Sequence, residues 1–182
     1  WPDGSHRWLL VDAEIDASGD AETECWVEAG AHAAPGASPA IVVSDVDAGV
    51  AVDTGAARFE MRRGAPFPFA AVAAGGRTAL APAESGLTIT LASGEERVVA
   101  VSTVEVREPG ARRTSVRVTG QVKLPSHREP LQVSARLHFF AGRPTVRVQL
   151  TLQNPNRATH QGGFWDLGDA GSVLFQDVSW VC

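Results

Sequence analysis

Residues 154–171, NPNRATHQGGFWDLGDAG, bring His160, Trp165, Asp166 and Asp169 close together on a backbone loosened by Gly162, Gly163, Gly168 and Gly171. An indole face stacks on the apolar side of a pyranose, while carboxylates accept hydroxyl protons. The segment therefore has the chemistry of a sugar site. A plainer reading stands beside it. Asp-x-Gly and Asn-Pro make turns through bonds from side chain to backbone, and Trp165 then plugs one end of the fold. Asp166 and Asp169 could also face calcium, yet two carboxylates fall well short of the ~6–8 oxygens that ion takes. No cofactor is expected.

A second group lies where the apolar pattern is most regular. Arg117, Arg136, His138, Arg147 and Gln149 occupy the polar positions of three alternating runs. Together they could line a shallow groove for an acidic sugar, because the guanidinium fork matches a carboxylate. The alternative is an ordinary solvated sheet face with polar pairs across strands. Motifs of nucleophilic or metal catalysis do not occur. There is no Gly-x-Ser-x-Gly, no His-Glu-x-x-His and no phosphate-binding glycine loop. Tyrosine is absent, and His6, His32, His127, His138 and His160 are scattered. This stretch is not expected to perform chemistry by itself.

Strands must position these residues, since side chains on a strand alternate between faces. Val116, Val118, Gly120 and Val122 alternate with Arg117, Thr119, Gln121 and Lys123. Leu131 to Phe139 and Val146 to Leu152 repeat the pattern. Ala141-Gly142-Arg143-Pro144 is short enough to join the last two runs as a hairpin. Pairing Phe140 with Thr145 then sets His138 against Arg147 and Arg136 against Gln149. Further strands are expected at 40–46, 50–54, 57–62, 87–91 and 97–107, with a turn at Ser93-Gly94. Two more runs, 9–13 and 23–29, precede them, with Trp8 and Trp26 read as their core residues. Residues 70–74 are alanine-rich but meet Gly75-Gly76 within about a turn and a half of helix. No window holds a helical apolar stripe. The fold class is all-β, an antiparallel β-sandwich.

The chain has 182 residues and a net charge of −5, with Lys123 the one lysine among 16 basic residues. Nucleic acid and anionic membrane need a concentrated basic stripe, so neither is an expected partner. No apolar run approaches the ~18 residues of a membrane span. Cys25 and Cys182 set no disulfide framework and no metal spacing. The start at Trp1-Pro2-Asp3 carries no export signal, and the natural N-terminus is expected to lie upstream.

Three segments extend the reading. Trp1 to Leu10, WPDGSHRWLL, is similar to a segment of the exo-rhamnogalacturonan lyase-like family. Leu137–Pro155, LHFFAGRPTVRVQLTLQNP, resembles that family's central β-sandwich, and His160–Phe175 resembles the sequence closing it. The resemblance implies the end of a barrel-like domain at 1–30, a linker at 31–39 and the sandwich at 40–182. A C-terminal α/α domain, absent from this chain, would hold the catalytic cleft and be its partner. The implied ligand is a polysaccharide or oligosaccharide rich in uronate, and the implied location is secreted or cell-surface. His6 stands where a small aliphatic residue is expected and Gln161 where proline is, which leaves the substrate open. No catalytic residue carries over to this segment. Carbohydrate-binding module and structural spacer remain the alternative roles.

Overall fold

The computed structural model describes residues 39–80, 85–125, 127–157 and 171–181, together with Val11, Ile15, Glu24 and Trp26. A division between Ser38 and Pro39 separates two units, and every strand below belongs to the second. The strands expected at 9–13 and 23–29, nearly all of the linker, and both cysteines fall outside the described residues. Trp26 is described, and it corrects an expectation. It stands 73% exposed and is not in a strand.

Among the described residues, twelve strands form three antiparallel sheets and there is no helix. The first sheet is a meander of β1 (Val42–Val46), β2 (Gly49–Asp53), β3 (Ala57–Arg62), β4 (Ala71–Ala74) and β5 (Arg77–Leu80). The second sets β12 (Phe175–Val181) beside β6 (Gly86–Leu91), which pairs in turn with β7 (Glu96–Val98). The third runs in the order β11-β10-β9-β8, from β8 (Val101–Glu108), β9 (Arg113–Val122), β10 (Leu131–Phe140) and β11 (Val146–Gln153).

Period-two patterning gives each long strand an inner face. Ala57, Phe59 and Met61 of β3 are buried with Leu87 and Ile89 of β6, and with Val116 and Val118 of β9. Leu131, Val133, Ala135, Leu137 and Phe139 of β10 complete this core. Aromatic rings join the layers. Phe59 meets Phe139 at 5.1 Å between centroids, Phe69 lies 5.7 Å from Phe59, and Trp180 lies 6.0 Å from Phe69. Each of the three buried phenylalanines contributes about 1.5–3 kcal/mol by leaving water. The result is a sandwich.

Backbone contacts set the β8–β11 sheet in place. A Cβ at Gly120 would stand 2.7 Å from both the Ala100 carbonyl oxygen and a Val99 methyl. Only glycine lets residues 99–100 pack so closely over β9. The Thr54 hydroxyl donates to the Arg143 carbonyl at 2.8 Å, and the Gly142 N–H donates to the Thr54 carbonyl. These bonds fasten the β10–β11 turn to the first sheet.

Three expectations need correction. The run 97–107 is two strands in different sheets, broken at Val99-Ala100. Residues 71–74 form β4, and Gly75 and Gly76, both at positive φ, turn the chain into β5. β12 was not among the expected strands. The β10–β11 register is as the turn length dictates, with His138 opposite Arg147 and Arg136 opposite Gln149.

Candidate functional site

The outward positions of β8–β11 make a polar face laid out in rows. Glu105, Arg117, Arg136 and Gln149 form one row, each the cross-strand partner of the next. Thr103, Thr119, Ser134 and Thr151 form a second row, and Glu108, Ser115, His138 and Arg147 a third. An open groove of about 510 Å³ lies over the first two, lined by Arg117, Ser134, Ala135, Arg136, Gln149 and Thr151. Its volume is in the range of small-ligand sites.

Arg117 and Arg136 dominate the groove. They are directly paired across β9 and β10 and both exposed, and neither bonds an acidic group among the described residues. The nearest carboxylate in the row, Glu105, is engaged by Arg107 at 2.7 Å. Guanidinium stays charged at any ordinary pH. Like charges directly opposite on a sheet destabilise it. An oxyanion bridging the two would remove that cost and satisfy both forks. Ser134 and Thr151 place hydroxyls beside them as further donors.

Glu108, Ser115 and His138 of the third row join Arg113 and Gln149 in a hydrogen-bond network. Glu108 Oε2 accepts from Arg113 at 2.9 Å and from the Ser115 hydroxyl at 3.1 Å. A second Arg113 nitrogen lies 2.9 Å from Nδ1 of His138, whose Nε2 lies 3.2 Å from Oε1 of Gln149. Arginine can only donate, so Nδ1 accepts and the Nε2–H donates to Gln149. Both ring nitrogens are therefore spoken for. Ser115 is the cross-strand partner of His138, but its hydroxyl goes to Glu108. The pair is not arranged as nucleophile and base. These bonds knit four strands together beside the groove.

Of the residues singled out in the sequence, Arg117, Arg136 and Gln149 line the groove. His138 does not. It is buried under the network at 9% exposure and touches Gln149 instead. Arg147 is exposed opposite His138 and lies outside the lining. His160, Trp165, Asp166 and Asp169, and with them any calcium contact, fall outside the described residues. Ser134 and Thr151 were missed, although the alternation that placed Arg136 puts both on the same face. Among the described residues no three His, Cys, Asp or Glu side chains gather as a metal site. No helix there is long and apolar enough to cross a membrane.

No family model matches the chain, and no curated protein matches it by sequence.

Proposed function

We propose that this chain is a non-catalytic β-sandwich region that holds the carboxylates of a uronate-containing, pectin-like glycan. It would do so within a secreted polysaccharide lyase whose catalytic α/α domain lies elsewhere in the protein. The observation that carries the binding role is the pair Arg117–Arg136 over an open groove, paired to each other across strands and bonded to no acid among the described residues. A lyase must neutralise the uronate carboxylate, and arginines are suited to that work. The sequence likenesses at 1–10, 137–155 and 160–175 supply the lyase context.

Calorimetric titration of the 182-residue chain with size-defined oligogalacturonides and rhamnogalacturonan oligosaccharides tests the reading. Binding that weakens with added salt and disappears on substituting both arginines supports it. The chain alone should release no product with unsaturated-uronate absorbance. Absence of binding to every acidic glycan would leave a structural spacer as the role of this region.

A further inference from the structure

We infer that the groove selects a free carboxylate over its methyl ester, and that His138 sharpens this choice by holding Gln149 as a donor. The inference rests on the glycan-binding reading above and adds to it a requirement for de-esterified ligand.

The lining groups differ in what they can offer a ligand. Arg117 and Arg136 only donate, and each carries a full positive charge. Gln149 is ambivalent by nature, since its amide has a carbonyl acceptor and an NH₂ donor. Its neighbours remove the ambivalence. Glu108 orients Arg113, Arg113 donates to Nδ1 of His138, and His138 therefore presents Nε2–H to the carbonyl oxygen of Gln149. The amide NH₂ is what remains for a ligand. The groove then offers three nitrogen donors, two of them charged, with the Ser134 and Thr151 hydroxyls beside them.

A carboxylate meets this array with a full charge and two equivalent oxygens. A methyl ester has no charge and one good acceptor. It would leave a guanidinium without a partner and restore the repulsion between Arg117 and Arg136. Discrimination should be at least tenfold, which corresponds to 1.4 kcal/mol and is less than one charge-assisted hydrogen bond contributes. His138 does not touch the ligand in this scheme. It is a positioning residue that acts through Gln149.

The test is a pair of titrations on the full chain, one with a de-esterified oligogalacturonide and one with its fully methyl-esterified counterpart. Wild type should bind the acid at least tenfold more tightly. Gln149→Glu alters an exposed residue and keeps an acceptor for His138, so it should fold. It removes the amide donor and puts negative charge into the groove, so it should weaken the acid at least tenfold and the ester less, narrowing their ratio. His138→Phe should narrow the ratio of acid to ester about threefold, a readout that partial unfolding would not move because both ligands lose equally. Equal binding of acid and ester by wild type would overturn the inference while leaving the glycan site intact. An unchanged ratio in both variants would remove His138 and Gln149 from it. Failure of both ligands to bind would sink the site itself, and the inference with it.

Discussion

On β3, Arg58 and Arg62 flank Glu60 along one strand, and both guanidiniums bond its carboxylate. On β9 and β10, Arg117 and Arg136 face one another across strands and share no carboxylate among the described residues. The β3 group is half-buried, whereas Arg117 and Arg136 are exposed. In the β3 cluster two guanidiniums share one carboxylate at partly exposed positions, an arrangement of the kind that adds little to stability. The β9–β10 pair bonds no carboxylate among the described residues, Glu105 opposite Arg117 being engaged by Arg107, and a serine, a threonine and a glutamine surround it. A sheet that tolerates such repulsion has the charge available for something outside itself. The comparison can be attacked from several sides.

The largest effect should come from the core both faces share. Phe139 is fully buried against Phe59, and Phe139→Ala should cost about 3–5 kcal/mol of unfolding free energy. Urea denaturation checks the value. Glycan affinity of the fraction still folded should stay as in wild type, because the ring faces away from the groove. A direct loss of affinity in the folded fraction would mean that the groove is not an outward-face site.

Next comes the charge itself. Replacing Arg117 and Arg136 together by alanine should weaken a de-esterified oligogalacturonide at least about a hundredfold, as loss of two charge-assisted bonds implies. The same change should leave thermal stability unchanged or raise it slightly, by about 0.2–1 kcal/mol, since like charges opposite each other are removed. Calorimetric titration and thermal unfolding on one preparation separate the two effects. A marked drop in stability would show the pair to be structural, with partners the comparison overlooks.

A sharper version copies one face onto the other. Ser134 lies two residues from Arg136 on the same side of β10, as Glu60 lies two residues from Arg58 and Arg62 on β3. Ser134→Glu would supply the missing carboxylate. Affinity for the acidic oligosaccharide should fall at least about tenfold, while stability gains up to about 1 kcal/mol. Stability and binding would then move in opposite directions, which a simple folding defect cannot produce.

How far these features could be read before the fold was known depends on contrast in side-chain size and polarity. β9, β10 and β11 alternate large apolar with long polar residues, so their faces and register were legible, and with them Arg117 and Arg136. β4 is Ala-Val-Ala-Ala, where nothing distinguishes one face from the other. The irregularity at the start of β8 left a trace in the sequence. Val99 and Val101 sit at odd positions, Val104 and Val106 at even ones, and the slip coincides with the bulge between Val101 and Thr103. β12 hides for a similar reason, since its ladder shifts between Phe175 and Asp177. At the site, alternation placed His138 outward with the arginines. It could not show that Arg113, a distant residue on the neighbouring strand, and Gln149 would close over the ring. Burial of an outward-facing residue depends on what its neighbours reach for, and that is a property of the network.

The smallest expected effect belongs to Glu60, and it carries a sign the other pair cannot share. Burial raises the Glu60 carboxyl, but hydrogen bonds from Arg62 and Arg58, with their charges, outweigh it and hold it below the ordinary value of 4.5. A carboxyl lowered in the folded state stabilises the fold at pH above its unfolded value, and the contribution disappears as pH falls through the folded one. Glu60→Gln should therefore be less stable than wild type at pH 7, by less than about 1 kcal/mol because both arginines are substantially exposed. The two proteins should converge as pH drops below 4.5. The Arg117→Ala, Arg136→Ala double variant should show no such convergence, because guanidinium does not titrate in this range. Denaturation midpoints taken between pH 7 and pH 3 would show whether the two arginine pairs obey different electrostatics, one satisfied from within and one open to a ligand.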